Sequence, residues 1–394
     1  MSSREDRGHR ASGPERVRLL QGALGSPIGS PAGEAGDPLY RLRGSVEPFV
    51  DQQGALYFVR AGMPDLVVRD PDSLDVPLVT TLAGAARSMD ELLEHPALAE
   101  SSEQALSEKL AALEAARLLQ ITDSAALARL TEEDRERLSR QLLYLGELGD
   151  PAVLQRRLRD ASVLILGCGG LGSWAAAAAA CLGLGRLILV DDDRVDLSNL
   201  NRQILFPRSS VGMRKVEALG AWLSGFDPDV SVTAHARRIA GPEDVATLLP
   251  GVDAVVLAAD TPAYVIGRWV NEACASRRIP FLTAGQLPPI LKLGPTYMPG
   301  NGACLSCHEI ALREESPLYD EYAAFRSGAE PTAATLGPAS GVLGSMLALE
   351  LMKLLIGERP TTADAALILD MRTLEIRREV LRRRADCPVC GDLA

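Results

Sequence analysis

Three groups of residues have the types and spacing that chemistry requires. The first is the run Gly167-Cys168-Gly169-Gly170-Leu171-Gly172, which follows the apolar stretch 161–166. Glycines spaced this way let backbone N–H groups approach a phosphate at the start of a helix. Nineteen residues after Gly172 a second apolar stretch ends in Asp191-Asp192-Asp193, where Asp191 or Asp193 can accept hydrogen bonds from ribose hydroxyls. The second group adds charge: Arg202, with Asn199 close by, in the segment 198–203, Lys215 in a chain with only four lysines, and Asp260 after the apolar run 253–259. The third is sulfur, in Cys304-x-x-Cys307 and Cys387-x-x-Cys390.

A glycine turn with a spaced acid suits a dinucleotide and ATP equally, so the charges decide between them. Hydride transfer needs no cluster of cations and a carboxylate around phosphates. Adenylation does, because a carboxylate attacks the α-phosphorus while Arg202 and Lys215 neutralise the phosphates and Asp260 holds Mg²⁺. ATP and Mg²⁺ are therefore the expected ligands. The two C-x-x-C pairs make two-thiolate knuckles that together complete a closed tetrahedral site for structural Zn²⁺, and His308 is expected to be a bystander. The total of 7 cysteines is odd, which disfavours a disulfide scaffold, and Cys168, Cys181 and Cys274 are expected to be buried, inert thiols.

The elements that must position these residues follow from hydrophobic periodicity. Strands are expected near 161–167, 186–191, 231–235, 253–259 and 280–284, with helices near 171–183, 211–224, 262–277 and 340–356. The alternation implies an α/β fold with a doubly wound, Rossmann-like parallel sheet. Ahead of it, residues 1–37 are rich in Gly, Pro, Ser and Arg and read as a disordered leader. Residues 38–130 then offer strands at 46–50, 55–59 and 65–70, helices at 77–87 and 102–119, and a capping box from Ser88 to Glu91, a small winged-helix-like α+β domain. A linker helix at 131–145 opens the third division, 131–394.

Charge limits the partners. The chain carries 41 basic and 52 acidic side chains, a formal net charge of −11, and residues 38–130 alone have eight basic against fourteen acidic groups. Nucleic acid and an anionic membrane surface are both disfavoured. The charged N-terminus does not suit a secretory signal, and the longest apolar run, 174–185, is too short to span a bilayer, so a cytoplasmic location is expected.

Residues 131–394 resemble the ThiF/MoeB/HesA adenylating family, bacterial relatives of ubiquitin-activating enzymes. The family's R-x-x-R-Q element is matched by residues 137–141, its glycine loop by 167–172, its acidic strand end by Asp191 and Asp193, and its SNL-x-RQ element by 198–203. Lys215 stands at the phosphate-side lysine and Asp260 at the magnesium aspartate, although relatives commonly have Asp-Asn where this chain has Asp260-Thr261. The resemblance implies structural zinc at the cysteine pairs. It also implies a homodimer in which Arg140 reaches the partner subunit's ATP site. No cysteine lies between Cys307 and Cys387, including 317–340 where thioester-forming relatives carry their thiol, so a protein thioester on that loop is excluded.

Two substrates fit the resemblance. Sulfur-carrier-activating members adenylate the Gly-Gly terminus of a small ubiquitin-like protein and usually begin near the R-x-x-R-Q helix. This chain has about 130 residues before it. Members similar to MccB, which mature ribosomally made peptides, place a winged-helix-like clamp there, and a leader peptide adds to its sheet edge. The segment 41–72 looks like such a clamp, so adenylation of a carboxyl or amide group on a precursor peptide is the expected function. A noncatalytic peptide-binding scaffold is the third possibility.

Overall fold

The computed structural model describes residues 18–19, 36–60, 62–328 and 334–392. The chain divides into two compact units, 1–156 and 157–394.

In the first unit the strands β1 (Arg18–Leu19), β3 (Val46–Val50), β4 (Leu56–Arg60) and β5 (Leu66–Val68) form an antiparallel sheet in the order β1-β3-β4-β5. The β3–β4 turn is set by Asp51, whose carboxylate accepts the N–H groups of Gln53 and Ala55, and by Gly54 at φ +89°. A second, two-stranded sheet pairs β2 (Pro38–Leu42) with β6 (Leu119–Asp123). The helices are α1 (Asp75–Gly84), α2 (Met89–Leu93), α3 (Glu103–Ala115), α4 (Ser124–Ala128), α5 (Glu132–Arg137) and α6 (Ser139–Leu145), and α7 (Pro151–Asp160) carries the chain across the 156/157 division. Ser88 and Glu91 close the expected capping box, each side chain bonding the other's backbone N–H at 3.1 and 2.9 Å.

Three expectations change here. Arg18 and Leu19, inside the segment read as a disordered leader, pair with Val50 and Phe49 on the edge of β3, where unpaired backbone groups offer a template; residues 1–17 and 20–35 lie outside the described residues. The helix expected at 102–119 stops at Ala115, because Arg117 turns left-handed at φ 57° and the following residues pair with β2. The division expected at 130/131 falls at 156/157, because Leu138 and Leu142 are buried with Leu39, Leu127 and Leu130.

The second unit holds one sheet of eight strands in the order β14-β13-β12-β11-β10-β7-β8-β9. Its parallel part is β7 (Ser162–Leu166), β8 (Arg186–Val190), β9 (Ser231–His235), β10 (Ala254–Leu257) and β11 (Phe281–Leu287). Three antiparallel strands extend it: β12 (Ile290–Tyr297), β13 (Ala365–Asp370) and β14 (Ile376–Val380). Every residue of β7 is buried, as a central strand covered on both faces requires. One face carries α8 (Gly170–Cys181), α9 (Lys215–Phe226) and α14 (Gly337–Ile356). The other carries α10 (Pro242–Leu248), α11 (Val265–Ala275) and α12 (Leu305–Glu315), with α13 (Tyr319–Gly328) following.

Among the described residues α14 alone has the length and apolarity to cross a membrane, with a mean hydropathy of 1.6, yet it packs in the core against α8, β11 and β12. Small residues allow that contact. A Cβ at Gly344 would stand 2.5 Å from the Trp174 Cβ, and one at Gly341 3.2 Å from the Trp174 ring. Substituting either would push the helices apart.

Candidate functional site

The turn from β7 to α8 is built by glycines with different duties. Gly167 has φ +94°, and a Cβ there would come within 2.5 Å of the Ala259 backbone. A Cβ at Gly172 would lie 1.8 Å from the Gly167 carbonyl oxygen. These two let strand, turn and helix pack. Gly169 differs, because a Cβ there would meet nothing nearer than Gln203 Nε2 at 3.7 Å. It caps α8 without a side-chain hydrogen bond, so the first-turn N–H groups remain available to an anion. The cradle therefore has the open space and donor groups that ATP phosphates need.

Arg202 lies beside it. A Cβ on Gly170 would touch Arg202 Cγ and Cδ at 3.5 Å, while its guanidinium donates to the Ser198 carbonyl and Asn201 Oδ1, each at 3.0 Å. Asn199 is buried and closes a turn with Asp196, accepting that residue's N–H at 3.2 Å, so it shapes the segment that delivers Arg202. Gln203 is buried next to Gly169, and its Oε1 has no hydrogen-bond partner among the described residues. Sequence reasoning quoted Gln203 within the motif without nominating it. Its position directly after Arg202 was the available signal.

The three acids diverge. Asp191 accepts the Cys168 N–H at 2.6 Å and the Asp193 N–H at 2.8 Å, tying the acidic strand end to the glycine turn. Burial pushes its carboxyl above the usual carboxylate range, against the opposing pull of the Cys168 N–H and the Lys215 ammonium. Asp193 is exposed, and its Oδ2 pairs with the buried Lys215 ammonium at 2.7 Å. Lys215 opens α9, only 7% exposed. Asp260 is exposed beyond β10, its Oδ1 accepting the Thr261 hydroxyl at 3.2 Å, which leaves the carboxylate open to a cation. Arg140 is exposed on α6 in the first unit.

All four knuckle cysteines are buried, and their sulfurs lie within 4.8 Å of one another. Cys304 and Cys387 sulfurs stand 3.5 Å apart, Cys307 and Cys390 3.3 Å apart. Zinc bonds to four thiolates of about 2.3 Å imply sulfur separations of about 3.8 Å, so the cluster has suitable dimensions. Burial pushes the Cys304 and Cys307 thiols up, Cys307 to about 11, and a cation among them relieves that cost of ionising. The Arg384 N–H donates to Cys307 Sγ at 3.4 Å, and Gly391 follows in a turn too tight for a Cβ. His308 instead meets the Tyr297 hydroxyl at 3.0 Å. Cys168 and Cys274 are buried, but Cys181, expected to be buried, is exposed where α8 ends and the chain turns at Gly183.

Comparison with known proteins gives this geometry its context. The ThiF family model matches residues 138–389. The sulfur carrier protein ThiS adenylyltransferase of Escherichia coli is 34% identical over 66% of this chain and 97% of its own length. The SAMP-activating enzyme E1 of Haloferax volcanii is 33% identical over 65% of this chain and 89% of its own. Among solved structures, E. coli MccB with AMPCPP and MccA superposes with a TM-score of 0.69 at 25% identity, covering 90% of this chain and 100% of that one. MccB with ATP gives a TM-score of 0.68 over the same shares. The chain thus belongs to the ThiF family and is an ATP-dependent adenylyltransferase.

Proposed function

We propose that the enzyme activates a carboxyl or amide group of a ribosomally made precursor peptide, held by the first unit, during peptide maturation. One observation carries this choice of substrate: the likeness to MccB covers 90% of the chain, against 66% for the ThiS adenylyltransferase, so it extends into the first unit. Among the described residues β5 is an edge strand of that unit's sheet, and its Val67 and Val68 are exposed. An extended peptide can add there through backbone hydrogen bonds.

In the reaction, an oxygen of the peptide carboxylate bonds to the α-phosphorus and the bond to pyrophosphate breaks. Gly169, Gly170 and the first-turn N–H groups of α8 seat the phosphates. Arg202 and Lys215 neutralise charge as it shifts toward the leaving pyrophosphate, and Asp191 orients the nucleoside side. Asp260 would hold Mg²⁺, which would supply positive charge to offset that of the phosphates. The cysteine cluster would hold zinc for structure, since four thiolates leave no position for water. Arg140 completes the partner's site in a cytosolic homodimer.

Pyrophosphate exchange tests the substrate. Stimulation by a leader-bearing peptide supports the proposal, whereas stimulation only by a Gly-Gly-ended ubiquitin-like carrier assigns the enzyme to sulfur-carrier activation, which the 34% identity to the ThiS enzyme favours. Peptide binding without ATP turnover would instead indicate a scaffold. The retained set Arg140, Arg202, Lys215 and Asp260 speaks against that outcome.

A further inference from the structure

Four residues beyond Asp260, Tyr264 sits at φ 63°, a left-handed conformation costly for a bulky side chain. It persists because the ring is gripped: Tyr264 meets Tyr319 and Tyr322 edge-on, with centroids 6.0 and 6.2 Å away. Tyr319 is fixed in turn. Its hydroxyl donates to buried Glu309 at 3.2 Å, Glu309 pairs with Arg268 at 2.8 Å, and the Arg313 guanidinium lies 5.5 Å from the Tyr319 ring centre. Beside this anchored pair opens a cavity of about 500 Å³ lined by Ser316, Leu318, Tyr319, Glu321, Tyr322 and Phe325. Leu318 and Phe325 are each 69% exposed among the described residues, unusual for large apolar side chains.

We infer that this cavity is a substrate subsite that takes an apolar side chain close to the activated end of the peptide. The subsite presupposes the activation chemistry proposed above and adds a sequence requirement to it. Continuity with the reaction site decides the occupant, because Tyr264 belongs to the loop that presents Asp260 beyond the carboxyl end of β10, where α/β sheets bind ligands. Four residues span at most about 14 Å and the Tyr264 ring centre lies about 4 Å from its Cα, so with the 6.0 and 6.2 Å steps to Tyr319 and Tyr322 the cavity wall stands within about 24 Å of Asp260. An extended peptide advances about 3.3 Å per residue, which places the recognised side chain within about seven positions of the acyl end. Glu321 on the rim repels an acidic residue there.

Photolabelling with a diazirine-bearing N-acetyl-leucine, followed by peptide mapping of the full chain, reads the cavity directly. Labelling within 316–325 is expected, with competition by N-acetyl-leucine and none by N-acetyl-aspartate. In pyrophosphate exchange with the leader-bearing peptide, the double variant Leu318→Ser, Phe325→Ser should raise the peptide KM about tenfold or more and leave the ATP KM unchanged. Labelling elsewhere, or an unchanged peptide KM in the double variant, overturns the subsite. So does dissociation of a wild-type dimer in that variant, since the face would then be a protomer contact. If no peptide supports exchange, the proposed substrate fails, while the labelling result still decides whether the cavity binds apolar side chains.

Discussion

The glycines of the β7–α8 turn permit a sharp test, because one chemical change at two nearby positions should give opposite readouts. Gly172→Ala places a methyl 1.8 Å from the Gly167 carbonyl oxygen and 3.2 Å from Ala258 Cβ. Alanine normally stabilises a helix interior by about 1 kcal/mol relative to glycine. A backbone clash instead costs about 1–3 kcal/mol or more, and the closeness here argues for the upper end, a net loss of about 1–2 kcal/mol. For a unit covering residues 157–394, that lowers Tm by about 2–8 °C. Gly169→Ala adds a methyl into open space, with its nearest neighbour at 3.7 Å, so Tm should move by no more than about 3 °C. Its ATP KM should rise about tenfold, because the methyl occupies the approach to the first-turn N–H groups. Thermal unfolding and pyrophosphate exchange measure the pair. An unchanged ATP KM in Gly169→Ala would remove the nucleotide from this turn.

Lys215→Ala should reduce exchange by about 100-fold or more and leave the fold intact, because its partner Asp193 is already exposed to water; measurable exchange near wild type would reassign the lysine to structure alone. Mixing Arg140→Ala with Lys215→Ala protein should restore about a quarter of wild-type activity if the arginine acts across a two-fold interface, and no recovery would place its action within one protomer. Cys387→Ser should abolish bound zinc by elemental analysis and lower Tm, while protein purified with no zinc at all would remove the metal assignment.

The nucleotide turn was legible in the sequence because its determinants are local: an apolar strand, four glycines and an acid at fixed spacing. The division of labour among Asp191, Asp192 and Asp193 was not, since spacing alone cannot tell which carboxylate faces the turn and which meets Lys215. The β2–β6 pair was missed because its partners lie some eighty residues apart and neither alternates cleanly. β12 carries Gly294 and Pro295, and β14 is an exposed edge strand bearing Arg377 and Arg378, so neither shows a buried strand's pattern. The aromatic cavity depends on a single left-handed tyrosine and on α13 folding back against it, neither of which periodicity encodes.

The two sulfur knuckles join positions 83 residues apart. Once bridged by a metal, everything from α12 to the last strand becomes a ring, including the whole of α13 and α14. Tethering a loop of that size can withdraw about 4–5 kcal/mol of freedom from the unfolded chain, an upper figure for a bond that can reopen. Chelation should therefore loosen the C-terminal third first, and amides of β13 and β14 should exchange with solvent before those of β7.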